Sequence, residues 1–298
     1  MMRLAAAALV ASLTAVAHTP AARDTHVVLD AVVVGDSGRT MRGLHAGDFD
    51  VKEDGEAVAL TRVTEMSSLG LAGETVHRSV VLLLDDTLRP MATPIVQAIA
   101  RGLLSQARPG DAVAAVRLTQ RDPAVGPLEA AVETVDDYHA GRLPFFGIQS
   151  IEDLLDTVAR ISRDVAVTPP RRTNVVCVGG RALCDPYFEN PEYSLARNQW
   201  RHAIVAAAQA QVAVYLVDPA GLSGRGFDLG NGLVEQTGGV AFVESNSFDR
   251  AVEAIWDEAS HYYLLEYDST SRPRELHTIR VKMRPRGLHA HARTVRGD

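Results

Sequence analysis

Two adjacent carboxylates, Asp85 and Asp86, directly follow the apolar run 80–84, and Thr87 comes next. A continuous apolar run is typical of a strand that is covered on both faces. Ligands of open α/β sheets bind at the carboxyl ends of the strands, so these side chains are candidates for a binding or catalytic site. Their oxygens are of the kind that Mg²⁺ takes as ligands. The alternative is that Asp85 caps the turn and Asp86 is solvated.

A catalytic use of Asp85 and Asp86 would be metal-dependent hydrolysis, which needs a further acid or base nearby. The loop after the third predicted strand offers only Gly179 and Gly180. The sequence also contains no Gly-x-Ser-x-Gly motif of a nucleophilic serine. We therefore expect no catalytic residue and no cofactor, with hydrolysis at the aspartate pair as the alternative.

Two further patterns are weaker candidates for sites. Gly224, Gly226 and Gly230 lie between a predicted strand and a predicted helix, but their spacing departs from the dinucleotide-binding fingerprint, which favours a flexible loop. His289 and His291 alternate along one predicted strand without an evident third metal ligand. We expect no metal site at either place.

The two cysteines are Cys177 and Cys184. Cys177 lies in the apolar run 175–178, where cysteine packs as a small hydrophobic residue. The glycines between the two cysteines permit a disulfide without requiring one, so this question stays open. A zinc site is not expected, because two cysteines without a suitably spaced histidine cannot complete a tetrahedral shell.

Residues 1–17 have the pattern of an export signal. Arg3 precedes an apolar stretch that ends in Ala-Val-Ala, and this order is typical of a cleavable secretory signal. We expect cleavage after Ala17, or else after Ala22. An uncleaved membrane anchor is the alternative, but the apolar stretch is short for a span. The mature protein is therefore expected to be exported, periplasmic or extracellular, and to have no stable membrane span.

The composition is that of a globular protein. The 298 residues include 46% hydrophobic and 22% charged residues, and the net charge is −7. An acidic balance of this kind argues against nucleic acid as the main partner, because phosphate binding requires a basic surface.

The elements that must position the aspartates lie in residues 79–259. There, apolar strand-like runs alternate with amphipathic helical segments, which predicts a doubly wound, mostly parallel sheet. Thr93 is expected to be the N-cap of the first helix, with Pro94 at its first position. The predicted strands are 80–84, 112–118, 175–178, 212–217 and 240–243, and the predicted helices are 93–106, 127–138, 150–163, 194–209, 229–236 and 248–259.

The flanking segments 24–66 and 260–296 are strand-like. The first is expected to hold three or four strands and the second three, namely 262–267, 276–283 and 289–295. Each flank is too small to bury much of a core alone. We therefore expect the two flanks to pack together as one small β-sandwich, with the α/β domain inserted between them.

The order of elements, with Asp-x-Thr after the first buried strand, resembles a von Willebrand factor type A (VWFA) domain. The chain is more closely similar to exported bacterial, mainly acidobacterial, VWFA-related proteins, a likeness that extends over nearly the whole mature chain. The residues that carry it are Val32-Val33-Val34, Asp36, Gly38, Gly43-Leu44, Asp48-Phe49, Val51, Glu53-Asp54-Gly55, Thr237-Gly238-Gly239, Tyr262-Tyr263-Leu264-Leu265 and Tyr267.

This resemblance implies a Mg²⁺ site that is completed by a carboxylate of the partner. Such domains carry Asp-x-Ser-x-Ser in the first loop, Thr in the second and Asp in the third. Here Asp85 and Thr87 match the first two positions, but Arg89 takes the third. Thr119 in the second loop lies early for its role, and Gly179-Gly180 stands where Asp-Gly is expected. The motif is degraded, and Mg²⁺ binding is not expected.

We accordingly expect a non-enzymatic binding module that engages a protein or cell-envelope ligand at the carboxyl edge of its sheet. The expected partner-binding residues are Asp85, Asp86, Thr87 and Arg89. The guanidinium of Arg89 is expected to pair with one of the aspartates and so to take the place of a metal ion. The alternatives are the hydrolase and a purely structural component of the cell envelope.

Overall fold

The computed structural model describes residues 25–68, 77–120, 122, 125–141, 148–166, 171–180, 194–223, 232–272 and 276–297. The predicted signal 1–17, its cleavage positions, Cys184 and the glycines of 224–230 lie outside the described residues. Within the described part of the chain, no helix combines the length and the apolar character that a membrane span requires.

Strands and helices of the described residues are numbered here in chain order. The strands are β1 (Thr25–Gly35), β2 (Phe49–Glu53), β3 (Glu56–Val58), β4 (Arg62–Ser67), β5 (Ser79–Leu84), β6 (Ala112–Arg117), β7 (Thr173–Val178), β8 (Val212–Val217), β9 (Ala241–Phe242), β10 (His261–Ser269), β11 (Leu276–Met283), β12 (Leu288–Ala292) and β13 (Val295–Gly297). The α-helices are α1 (Thr93–Leu104), α2 (Leu128–Asp136), α3 (Ile148–Val165), α4 (Ser194–Gln209), α5 (Gly232–Thr237) and α6 (Phe248–Ser260).

The middle of the chain forms a five-stranded parallel sheet in the order β6-β5-β7-β8-β9. The chain passes from β5 to β6 on one side and then returns to add β7 on the other side of β5. The connections that leave β5 and β7 therefore diverge, which opens a crevice at the carboxyl ends of these two strands. The two aspartates that the sequence analysis selected lie at this crevice.

Helices cover both faces of the parallel sheet, because the side chains of its strands alternate between two apolar cores. Val81 and Leu83 pack among residues of α3, α4 and α5, whereas Leu82 and Leu84 pack among residues of α1, α2 and α6. All four side chains are buried. This confirms the prediction of a parallel sheet enclosed by helices.

The two ends of the chain pair with each other in two antiparallel sheets. One has the order β12-β1-β10-β4 and the other the order β13-β11-β2-β3, so each combines strands from before and after the parallel sheet. Leu29 of β1, for example, pairs with Leu265 of β10. Side chains of both sheets, among them Phe49 and Tyr263, share one apolar core.

The predicted start of helix α1 is wrong by one position. Thr93 is the first helical residue, and the cap residue is Ala92 at the end of a short 3₁₀ helix. The Thr93 hydroxyl instead accepts a hydrogen bond from the Ala140 backbone N–H at 3.0 Å. The Thr93 hydroxyl, which could have capped the helix, is thus bound by a segment 47 positions away, and local spacing in the sequence does not reveal this contact.

The single strand predicted at 289–295 is two strands, β12 and β13, which belong to different antiparallel sheets. The chain changes sheet at Arg293, whose side chain is buried and paired with Asp30 of β1. This ion pair joins residues 263 positions apart, so the strand pattern alone could not predict the break.

A buried cluster of charges joins the terminal sheets to the amino edge of the parallel sheet. The Asp30 carboxylate accepts hydrogen bonds from Arg172, just before β7, and from Arg293, whose Nε lies 3.1 Å from Oδ1. Arg172 also donates to the hydroxyl of Tyr215 at 2.8 Å, and that hydroxyl donates to Glu258 at 2.5 Å. These five residues are all buried, so each charge depends on the others for its solvation.

Candidate functional site

Asp85 is held at the β5–β7 crevice by neutral hydrogen-bond donors. Its Oδ1 accepts the backbone N–H of Thr87 at 3.0 Å and the Thr87 hydroxyl at 2.6 Å. Its Oδ2 accepts the backbone N–H of Gly180 at 3.0 Å. The hydroxyl of Tyr138 donates to the Asp85 carbonyl at 2.6 Å. The carboxylate thus ties its own turn to the loop that follows β7.

The approach of β7 to Asp85 requires glycine at position 179. A Cβ atom added to Gly179 would lie 2.6 Å from the Cβ of Asp85. The third loop therefore cannot carry a side chain there without a shift of the backbone. The resemblance leads one to expect an aspartate at position 179. Here the glycine at this position has a structural role, because it lets the backbone N–H of Gly180 reach the Asp85 carboxylate.

Asp86 contacts the second loop, which corrects the expectation for Thr119. The backbone N–H of Thr119 donates to Asp86 Oδ1 at 3.1 Å, and its hydroxyl donates to Oδ2 at 2.5 Å. The carbonyl of Asp86 accepts the N–H of Gly141 at 3.0 Å. Thr119 therefore reaches the site although it follows β6 by only two residues, because the end of β6 lies beside the end of β5.

Burial governs the electrostatics of this site. Both Asp85 and Asp86 are 0% exposed, so the alternative in which Asp86 is solvated is wrong. Burial raises the pKa of Asp85, and the neighbouring charge of Asp86 raises it further. The hydrogen bonds from Gly180 and Thr87 act in the opposite direction but do not outweigh burial. The site favours a neutral Asp85 more than water does.

The expected pairing of the Arg89 guanidinium with one of the aspartates is wrong. Its side chain is exposed, and among the described residues it forms no ion pair with Asp85 or Asp86. Arg89 precedes a short 3₁₀ helix, Pro90–Ala92, which leads directly into α1. The turn is held by Thr87, Gly180 and Thr119 instead of a guanidinium.

Sequence reasoning missed Asp218, which directly follows β8 at the same edge of the sheet. It is 8% exposed, and its Oδ1 accepts the backbone N–H of Ala220 at 2.9 Å. The signal was present, because an aspartate after the buried run 212–217 repeats the arrangement of Asp85 after 80–84.

The residues at this edge do not fit an octahedral Mg²⁺ site. Both oxygens of Asp85 and Oδ1 of Asp86 accept backbone N–H groups, the third loop contributes glycines, and Arg89 stands at a hydroxyl position. Mg²⁺ gives up its water reluctantly and needs several unoccupied oxygen ligands. Within the described ranges, no group of three or more His, Cys, Asp or Glu side chains could hold a metal ion.

The two C-terminal histidines lie away from this edge. His291 contacts the buried Glu258 with Nδ1 at 3.1 Å from Oε1, which places it beside the charge cluster of the amino edge. His289 is exposed and lies 3.7 Å from Asp36. Each histidine has a carboxylate neighbour of its own.

Large apolar side chains are exposed in two of the connections that follow strands of the parallel sheet. Met91 is 79% exposed in the connection after β5, and Leu222 is 70% exposed in the connection after β8. These are the two most exposed large hydrophobic residues of the described part of the chain. Both belong to connections that leave the carboxyl edge of the parallel sheet.

No known protein family matches the chain, and no curated protein matches it. Among solved structures, the crystal structure of the human COPII-coat protein Sec24c is similar over 78% of this chain, with a TM-score of 0.34 and 8% sequence identity. The similarity covers 46% of the Sec24c chain, so this protein spans less than half the length of that neighbour.

Proposed function

We propose that this protein is an exported, non-enzymatic binding module that engages a protein partner at the carboxyl edge of its parallel sheet. In this proposal the α/β unit is of the VWFA type and is inserted in a small β-sandwich that the two ends of the chain build together. The signal-like pattern of residues 1–17 supports the export part of this proposal.

The observation that carries the proposal is the exposure of Met91 and Leu222 at one edge. Single exposed apolar residues are ordinary, whereas several large apolar residues exposed at the same edge of a sheet are typical of an interaction surface. The strands β5 and β8 are separated only by β7, so their ends lie about 10 Å apart at the usual strand spacing. One partner surface of ordinary size can cover both side chains.

In this proposal the buried aspartates hold in place the loops that form the contact surface. Asp85 and Asp86 are enclosed, and their hydrogen bonds connect the loops after β5, β6 and β7. This revises the expected division of roles: the aspartates position the loops, and Arg89 with the exposed apolar residues meets the partner. A rigid loop cluster reduces the entropy that is lost on binding.

The same geometry disfavours the hydrolase. A hydrolytic site must admit substrate and water to its acid and base, whereas both carboxylates are enclosed and hydrogen-bonded by neutral groups. Among the described residues, the side chains that bond to the two carboxylates are those of Thr87 and Thr119. Each threonine hydroxyl donates a hydrogen bond to one carboxylate. Each hydroxyl therefore serves as a donor that links its loop to the aspartate pair.

The test is comparative affinity capture from cell-envelope extract. The bait is the mature protein, in parallel with a Met91→Glu, Leu222→Glu double variant and a Val132→Glu control. Val132 is an exposed apolar residue of α2, 41% exposed, and lies outside this edge. We expect a captured protein that the wild type and the control retain and the double variant loses. Equal capture by all three baits contradicts the proposal.

A further inference from the structure

Strand β4 lies at the edge of the antiparallel sheet β12-β1-β10-β4. It pairs with β10 on one side, and no described strand pairs with its other side. The unpaired side of an edge strand offers backbone N–H and C=O groups to a further strand. β4 has six residues, whereas the edge strands β3, β9 and β13 have two or three, and β6, which is as long, is buried along 113–116. β4 is thus the longest accessible edge of the described part of the chain.

The hydrogen bonds of β4 show which of its backbone groups are free. Just beyond the strand, the N–H of Ser68 donates to the carbonyl of Ser260 at 2.9 Å, which continues the register with β10. Hydrogen-bonded pairs alternate along an antiparallel ladder, so the backbone groups of Thr64 face β10 and those of Val63 and Glu65 face away from it. Within the described ranges, the backbone groups of Val63 and Glu65 make no other hydrogen bond. They are open to a partner strand.

This edge lacks the features that usually prevent strand pairing, which are proline and outward-pointing charges. The strand contains no proline. Its carboxylate is held by its own molecule, because Glu65 Oε1 lies 2.9 Å from Nε2 of His261 and Oε2 accepts the Gly43 N–H at 2.9 Å. The exposed charge is that of Arg62 at the start of the strand, and it lies 3.9 Å from Glu266. The middle of the edge therefore presents no free charge to an approaching strand.

The sequence of this edge favours one register of pairing with a second copy of itself. Two identical strands pair antiparallel about a two-fold axis, and residues with outward backbone groups must face each other. With the axis at Thr64, Val63 of each copy faces Glu65 of the other. With the axis at Glu65, two carboxylates would face each other, which is unfavourable. With the axis at Val63, Glu65 would face Thr61, whose N–H is already bonded to the Glu266 carbonyl at 2.8 Å.

We propose that two copies of this chain dimerise by antiparallel pairing of their β4 edges about a two-fold axis at Thr64. Val63 and Glu65 of facing copies then exchange both of their backbone hydrogen bonds, and the two four-stranded sheets become one continuous sheet. The two threonines at the axis form a favourable cross-strand pair. Arg62 faces Met66, so the arginine stem covers an apolar side chain while its charge stays in water. This interface is independent of the contact surface at the carboxyl edge of the parallel sheet.

The experiment is sedimentation equilibrium of the mature protein over a range of concentrations. We expect a monomer–dimer equilibrium that shifts to monomer on dilution, because one strand pair buries less area than a standard interface. Val63→Pro should raise the dissociation constant at least about tenfold, since each copy loses an outward N–H, whereas the ladder with β10 does not use that group. Val63→Ala is the matched control, because it shortens the same side chain but keeps the N–H. A monomer at every concentration, or equal dimerisation of the two variants, overturns the proposal.

A cross-link tests the register and does not depend on the proline variant. Residues that face each other without hydrogen bonds, as the two Thr64 would, have Cα atoms about 4.5 Å apart, which a disulfide can span. In a Cys184→Ser background, in which the other cysteine, Cys177, is buried, Thr64→Cys should form a disulfide-linked dimer with oxidised glutathione. Arg62→Cys is the control, since it faces Met66 in this register. Cross-linking of neither variant, or of both to the same extent, overturns the proposal.

Discussion

Asp85 and Asp30 are both fully buried aspartates, at opposite edges of the same parallel sheet, but the molecule balances them in opposite ways. At the carboxyl edge, hydroxyl and backbone N–H groups solvate Asp85. At the amino edge, Arg172 and Arg293 solvate Asp30. Burial raises the pKa of each carboxyl, but the two guanidinium groups outweigh this at Asp30 and lower its pKa, whereas the pKa of Asp85 stays raised.

The difference shows what each edge is suited to. Opposite charges in a buried cluster depend strongly on one another, so the amino edge is a rigid junction between the parallel sheet and the terminal sheets. At the carboxyl edge, neutral donors hold the loops by weaker hydrogen bonds than those of the ion pairs. The outward-facing side chains of these loops remain exposed to a partner. The predictions below test this contrast, in order of decreasing effect.

Asp30→Asn should be the most destabilising change. It removes the negative charge that faces two buried arginines, and breaking a buried charge cluster in this way is unfavourable by about 3–5 kcal/mol. The free energy of unfolding, measured in urea at pH 7, checks this. Asp268→Asn is the control, because Asp268 is an exposed aspartate of the neighbouring strand, and it should change stability by less than about 0.5 kcal/mol. Similar free energies of unfolding for the two variants would show that the buried charge cluster contributes little to stability.

Gly179→Ala should destabilise the carboxyl edge by about 1–3 kcal/mol, because the new methyl group would overlap the Cβ of Asp85 and force the strands apart. Gly47→Ala is the control, since no atom lies within 4 Å of a Cβ at that position. Thermal unfolding distinguishes the two. A Gly179→Ala protein as stable as the control would mean that the crevice is looser than the structure indicates.

Thr119→Val should lower stability by about 1–2 kcal/mol, because Asp86 loses a hydroxyl donor in a buried environment but keeps the Thr119 backbone N–H. Thr278→Val, at an exposed position of β11, is the matched control and should be nearly neutral. Urea unfolding of both variants provides the measurement. A neutral Thr119→Val would indicate that water replaces the hydroxyl.

The two aspartates should give opposite pH dependences. The lowered pKa of Asp30 contributes stability above the unfolded pKa of about 3.8, and this is lost as the pH falls through the folded pKa. The raised pKa of Asp85 contributes stability at low pH, which is lost as the pH rises through its folded pKa. As the pH falls from 7 to 4, the wild type should therefore improve relative to Asp85→Asn but keep its advantage over Asp30→Asn, which it should lose only below about pH 3.8. Unfolding free energies from pH 7 to below pH 3.8 check both slopes, and parallel slopes would refute the contrast.

Arg89→Ser should have the smallest effect, because the Arg89 side chain is exposed and does not hold the turn. We expect a change in unfolding free energy below about 0.5 kcal/mol. Calorimetric titration with Mg²⁺ should detect no binding to either the wild type or this variant, since the serine restores one ligand but leaves glycines in the third loop. Mg²⁺ binding by the variant at low millimolar concentration would mean that Arg89 alone excludes the ion.

The parallel sheet was predictable because the apolar runs that specify its strands are short, continuous patterns in the sequence. The apolar runs at 80–84 and 212–217 read as strands covered on both faces, and they are buried strands enclosed by helices. The position of Asp85 and Asp86 at the carboxyl edge follows from the same pattern, since a residue after a parallel strand must lie at that edge. Asp218 could have been found by the same reasoning.

The sequence by itself determined most of the strands and helices and the edge of the sheet at which the aspartates lie, because alternation, apolar runs and turn residues act over a few positions. The tertiary structure decided what surrounds each charge. Thr119 reaches Asp86 across 33 positions, Arg293 reaches Asp30 across 263, and Arg89, only four residues from Asp85, turns outward. The physical reason is that solvation of a buried charge depends on neighbours in space, and only the folded chain brings those neighbours together.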